Sequence, residues 1–349
     1  MRHVTVPLPL LALAARQEGL ASADQCDEHG LDRHRRHRLV VAGTAARATQ
    51  GVLDLSGHLA AAGQPVSSGP DHARRRAALV ALLAHGPAAV AVGQCALALL
   101  GVQGLPSTIR PEVALPDGSA RRPRDGVVVR RYRPPSPTVC IDGFEVEAPV
   151  AALAHAVREL GRDRGVAVLD SAVQRRLIGA GALPDVSRAA RGRRGAARVA
   201  AAIGLVDGRA QSPLETFARL QCVDAGIRPD GLQVPVRDAS GRIIARGDLG
   251  WRLRRGRWLL VEIDGAGPHS APDALFSDRA RQNAVLASGR IVMLRYTAGD
   301  LAHRGLVPAA VAAHLRQDDL GFRLDLAARE GAPAARAPDD GAHARSGSA

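Results

Sequence analysis

The sequence predicts an α/β multidomain protein. It divides into an N-terminal winged helix-turn-helix over residues 1–60, a linker over 61–73, a mixed α/β region over 74–205, an α-β-β-β-α-β domain over 206–318 and a disordered tail over 319–349. Three observations predict this. At 349 residues the chain exceeds what one hydrophobic core ordinarily supports. The first 55 residues hold three short glycine-closed helical stretches followed by a hairpin signal. After residue 206 the apolar period changes from helical to alternating and back, bounded by turn residues.

The elements follow in order. "LPLLALAARQEG" is apolar at helical spacing and ends in Gly19; "SADQCDEHG" sets Ser22 and Gln25 in capping-box relation; "LDRHRRHRLVVAG" starts from Asp32 as N-cap. "RATQGVLDL" then reads as a wing, and the third helix carries Arg33, Arg35, Arg36 and Arg38 where a recognition helix meets phosphates and base edges. A run of charge is also simply a solvated face, and helix-turn-helix modules bind proteins as well as DNA. In the middle region "RRRAALVALLAHGP", "AVGQCALALLGV", "APVAALAHAVRELG" and "GVAVLDSAVQRRLI" read as helices, while "RPEVALPDGSARRPRDGVVVRRYRP" reads as a strand hairpin around Pro-Asp-Gly. No catalytic spacing occurs there, and His85 and His155 fit structural roles. "RAARGRRGAARVAAAIGL" suits a surface helix, a linker or a phosphate contact.

Composition narrows the function classes. The formal net charge of +13 favours a polyanionic partner such as DNA. All 47 basic residues are Arg, a bias that a high-GC genome imposes whatever the function. Cys26, Cys95, Cys140 and Cys222 have no metal or disulfide spacing, which suits free thiols in a reducing cytoplasm. No secretory signal and no apolar stretch of about 18 residues is evident, so a cytoplasmic protein with no membrane partner is expected.

The final domain carries the chemistry. "SPLETFARLQCVDAG" has Ser212 at N-cap and Glu215 at N3; "LQVPVRD", "RIIARGDLGWRL" and "GRWLLVEIDG" are strands; "DALFSDRARQNAVLASG" is a helix and "RIVMLRYT" a buried strand. Alternation puts Leu260, Glu262 and Asp264 on one face of the third strand. Asp248, Glu262 and Glu215 are oxygen donors without soft ligands, a set suited to Mg²⁺ or Mn²⁺ and to phosphodiester hydrolysis. Each also has a plainer role: Glu215 completes a capping box, Asp248 ends a strand, and Asp264 opens an Asp-Gly turn. Glu262, inside "WLLVEI", requires a partner or a metal to offset its burial.

The run "SPLETFARLQCVDAGIRPDGLQVPVRDASGRIIARGDLGW", followed by "LLVEIDGAGPHS", "DRARQN" and "RIVMLRYTAGDL", resembles the domain-of-unknown-function family related to very-short-patch-repair endonucleases, in the PD-(D/E)XK superfamily. The resemblance covers residues 210–303 and implies a restriction-endonuclease-like fold. It implies Glu215, Asp248 and Glu262 as metal-binding acids, His269 as proton carrier, and Arg279 and Arg281 as phosphate contacts. The superfamily's lysine position holds Asp264; His269, Arg279 or Arg281 would substitute. The first 200 residues resemble AbiEi-type antitoxins and transcriptional regulators, through "AAVAVGQCALALLGV" and "FEVEAPVAALAHAVRELG". That resemblance implies promoter DNA and a toxin-like protein as partners. Two functions are therefore expected: a DNA-binding, metal-dependent endonuclease, or a non-catalytic DNA-binding regulator.

Overall fold

Capping residues set the helices of the N-terminal region. Here α1 (Leu8–Arg16), β1 (Leu20–Ser22), α2 (Ala23–Glu28), α3 (Arg33–Val41), β2 (Ala46–Thr49), β3 (Val52–Asp54) and α4 (Ser56–Ala61) succeed one another. Ser22 Oγ accepts from Gln25 N at 3.1 Å and Gln25 Oε1 accepts from Ser22 N at 2.9 Å, closing the capping box of α2. Asp32 Oδ1 accepts from Arg35 N at 2.8 Å and starts α3. The strands form an antiparallel sheet in the order β1-β3-β2. Leu10, Leu31, Leu39, Leu53 and Leu55 fill the core beneath it. The computed structural model describes residues 4–65, 67–118, 125–132, 136–237, 240–265 and 289–330.

The middle region begins earlier than expected. Helix α5 (Pro70–His85) starts inside the stretch read as linker, because Pro70 at its first position and Asp71 in its first turn both favour a helix start. It is followed by β4 (Val90–Ala91), α6 (Gly93–Leu99), β5 (Glu112–Ala114), β6 (Val128–Arg130), β7 (Thr138–Ile141), β8 (Phe144–Glu147), α7 (Pro149–Val157) and α8 (Arg162–Gln174). The sheet order is β6-β5-β4-β8-β7. The expected hairpin is corrected: β5 and β6 pair in parallel, Glu112 with Val128, and a tight turn cannot close a parallel pair. The hairpin of this sheet is β7-β8, turned by Asp142 and Gly143 at φ 51° and 84°. The basic run is no linker, since α9 (Leu183–Ala190) and α10 (Ala196–Ile203) bury Val186, Ala190, Val199 and Ala202 in the same core.

The chain forms two compact units, Met1–Leu220 and Gln221–Ala349, and α11 (Pro213–Asp224) runs from one into the other. In the first unit, Asp170 on α8 accepts from Arg219 Nη2 at 2.9 Å and from Thr216 Oγ1 at 2.8 Å. Those buried bonds hold the first half of α11 to that unit.

The second unit is built on β9 (Gly231–Arg237), β10 (Ile243–Arg252), β11 (Trp258–Asp264) and β12 (Ile291–Thr297), in the order β12-β11-β10-β9. The β9-β10-β11 pairs are antiparallel and β11-β12 is parallel, with Glu262 beside Arg295 in register. The helix expected over residues 273–289 lies almost wholly outside the described residues. Then come α12 (Ala298–Ala302) and α13 (Leu306–Glu330), which carries helix past the expected tail boundary at residue 318.

Candidate nucleic-acid interface and carboxylate site

Helical spacing divides the four α3 arginines into two pairs. Arg33, His34, His37 and Arg38 are exposed, as is Arg47 on β2. Arg35 and Arg36 lie on the side of Leu39, which is buried. Arg35 donates to the carbonyls of Gly30 at 2.5 Å and Thr5 at 3.1 Å. Arg36 Nη1 donates to Asp27 Oδ1 at 2.6 Å and to the carbonyls of Leu31 at 2.8 Å and Ala23 at 3.1 Å. These two arginines tie α3 to α2, to the loop that follows it and, through Thr5, to the segment before α1.

Asp248 and Glu262 lie on neighbouring strands of the second unit. The β10-β11 ladder runs to the Leu249–Val261 pair. One step beyond, Asp248 Oδ2 accepts from Ile263 N at 2.8 Å, and its Oδ1 accepts from Gln233 Nε2 at 3.0 Å. Gln233 sits at φ 51°, a left-handed conformation uncommon for a non-glycine strand residue. Glu262 is half-buried and Arg295 Nε lies 2.9 Å from its Oε2. That cation answers the burial cost which the sequence raised, and it comes from β12. Asp264 is exposed at the strand end.

In the first unit, Glu215 is buried at the start of α11, where its Oε2 accepts from Gln211 N at 2.9 Å and its N donates to Ser212 Oγ at 3.2 Å. His269, Arg279 and Arg281 lie outside the described residues.

A second polar cluster was not singled out from the sequence. Glu147, at the end of β8, accepts from Gly93 N at 3.0 Å and pairs through Oε1 with His155 Nδ1 at 2.7 Å. Arg193 Nη1 donates to His155 Nε2 at 3.0 Å, which assigns the imidazole proton to Nδ1. The Tyr132 ring stacks on His155 at 3.9 Å, and the Arg193 guanidinium lies over Tyr132 at 5.6 Å. Glu112 is also buried and accepts from Arg130 Nε at 2.7 Å. Gly93, at φ 52°, is needed there, because a Cβ would stand 2.9 Å from Glu112 Oε1.

No family model matches the chain, and no solved structure matches it. Over 201 residues it is 28% identical to an uncharacterized protein of Mycobacterium tuberculosis (strain ATCC 25618 / H37Rv), covering 58% of this chain and 72% of the relative. An uncharacterized protein of strain CDC 1551 / Oshkosh matches with the same identity and coverage.

The two clusters differ in chemistry. In the first unit, burial pushes the Cys95 thiol and the Tyr132 phenol up, and raises the Glu112 carboxyl against the opposing effect of Arg130. With His155 held between Glu147 and Arg193, these bonds lock α6, α7 and β8 together. In the second unit, Asp248 and Glu262 are hard oxygen donors, the type that Mg²⁺ and Mn²⁺ prefer. Among the described residues no three of His, Cys, Asp and Glu gather as a metal-holding group. Mg²⁺ needs only one or two carboxylates and keeps several waters, so this donor pair fits it in type and number. Among the described residues no helix is long and apolar enough to cross a membrane.

Proposed function

We propose that the protein binds DNA through a winged helix-turn-helix in residues 1–60 and carries a restriction-endonuclease-like, metal-dependent nuclease domain after residue 206. The observation that carries the nuclease reading is the pair Asp248 and Glu262, set on adjacent strands where the β10-β11 ladder ends. In this reading both carboxylates hold Mg²⁺ or Mn²⁺. Such an ion supplies an activated water and neutralises charge on phosphate oxygens. Arg295 balances the Glu262 charge and fixes its carboxylate. His269 as proton carrier, and Arg279 and Arg281 as phosphate contacts, rest on the family resemblance alone. Glu215 is already engaged at the N-terminus of α11, so the proposal asks least of it.

On the DNA side, Arg33, Arg38 and Arg47 are the exposed cations of α3 and the wing, and they are assigned to phosphate. The test is cleavage of duplex, nicked and single-stranded DNA with Mg²⁺ or Mn²⁺, comparing wild type with Glu262→Ala and Asp248→Asn. Cleavage lost in both variants supports the reading. No cleavage of any form by wild type sinks the catalytic half.

The exposed face of α3 also favours a second reading, a regulator of the AbiEi type that needs no metal. It is distinguished by tight, salt-sensitive binding to its own promoter in the presence of a chelator, with no cleavage.

A further inference from the structure

Several arginines of the first unit are paired with carboxylates: Arg36 with Asp27, Arg75 with Glu18, Arg76 with Asp54, Arg130 with Glu112, Arg209 with Asp207 and Arg219 with Asp170. Arg191, Arg194 and Arg198 differ. All three are exposed within eight residues of chain, Arg191 and Arg194 between α9 and α10 and Arg198 in the first turn of α10, and among the described residues none has a carboxylate partner. Codon bias explains why the residues are arginine, but it does not explain why three gather without acids.

The turn that bears them is anchored. Arg193, between Arg191 and Arg194, points inward to His155 Nε2 at 3.0 Å and lies over Tyr132. Arg158 Nη1 donates to the Arg194 carbonyl at 3.2 Å. Gly195, at φ 89°, lies so close that a Cβ would meet the Arg158 carbonyl at 2.5 Å. A held turn loses little conformational entropy when it binds.

We infer that the α9-α10 turn is a nucleic-acid backbone contact, with Arg191, Arg194 and Arg198 as its phosphate ligands. Guanidinium matches phosphate with paired donors. The exposed residues beside them in sequence are Arg188, Ala189, Gly192, Ala197, Ala200 and Ala201, with no bulky apolar or aromatic side chain. A bilayer-inserting face needs such side chains; a phosphate backbone does not. The inference extends the DNA-binding reading but does not depend on α3.

The experiment measures duplex DNA affinity of the full chain by fluorescence anisotropy across a salt series. It compares wild type, R191Q/R194Q/R198Q, the α3 variant R33Q/R38Q, and a charge control R175Q/R176Q, whose residues are also exposed. Loss of three phosphate contacts should make the slope of log affinity against log salt shallower by about 2.7. The singles R191Q and R198Q, which guard against misfolding of the triple variant, should each remove about 0.9. If the triple variant keeps the wild-type slope while R33Q/R38Q weakens binding, this inference fails and the winged-helix reading stands. If only the triple variant weakens binding, the reverse holds. Equal flattening by R175Q/R176Q reduces the effect to net charge and overturns the inference. Binding to phosphatidylserine vesicles with none to DNA at low salt overturns both.

Discussion

Arg36 and Arg33 stand three residues apart on α3, yet their substitution should produce opposite phenotypes. Arg36→Ala removes a guanidinium that bonds Asp27 and the carbonyls of Ala23 and Leu31. Asp27 is half-exposed at 53%, so that ion pair contributes about 0–1 kcal/mol. The two carbonyl bonds to a charged donor add about 1 kcal/mol each in a part-buried setting. The sum is about 2–3 kcal/mol, or a fall in melting temperature of roughly 4–12 °C for a unit of this size. Arg33 is exposed, and its removal should stay within about 0.5 kcal/mol. Its loss should instead flatten the salt dependence of DNA binding by about 0.9. Far-UV circular dichroism follows the helical first unit, while Trp251 and Trp258 report the second by fluorescence. The reasoning is refuted if Arg36→Ala melts like wild type while losing DNA affinity, because its guanidinium would then be facing DNA.

Three further outcomes are expected. Arg219→Met strands the buried Asp170 carboxylate and should destabilise the first unit by about 3–5 kcal/mol in urea unfolding, with Asp170→Asn in the same chain restoring part of the loss. Cys140 is exposed, whereas burial pushes Cys26 up to about 11 and Cys222 up to about 12 and raises Cys95 as well. Mass spectrometry after brief iodoacetamide treatment at neutral pH should therefore show one adduct, on Cys140, and four only after denaturation. The Asp32 carboxyl is held below the ordinary aspartate value, chiefly by the bond from Arg35 N. Its folded pKa is depressed, so its support of α3 is present above the unfolded value and is lost as pH falls through the folded one. An NMR titration of the Asp32 side chain that gave an ordinary or raised value would contradict the capping geometry.

Local signals were the legible part of this fold. Ser22 with Gln25, Asp32, and Ser212 with Glu215 each mark a helix start by chemistry contained within four residues, and each cap is present. Non-local pairing was less legible. Strands β1 and β4 have three and two residues, too few to carry a period. The β5-β6 segment alternates as a hairpin does, and only the other strands of the sheet make it parallel. The Asp142-Gly143 turn of β7-β8 is the exception, a local Asp-Gly signal within the sequence. At the carboxylates, Glu262 announced that it needed a partner. That the partner is Arg295 follows from a parallel register set by residues 33 positions away, which no local pattern encodes.

The geometry around Asp248 bears on whether its placement serves stability or function. A β10 carbonyl would satisfy Ile263 N if the ladder continued; a carboxylate does so instead. The same carboxylate holds Gln233, whose left-handed backbone costs on the order of 1–3 kcal/mol. Stability alone would be better served by a regular ladder and an unstrained β9. The cost instead coincides with the point where a carboxylate is set one strand from Glu262, and with the Arg295 cation that balances it. Strain of this kind persists when its surroundings over-determine it, and such positions cluster at functional sites. Under the proposed function, a carboxylate positioned for a cation would account for both the interrupted ladder and the conformation of Gln233.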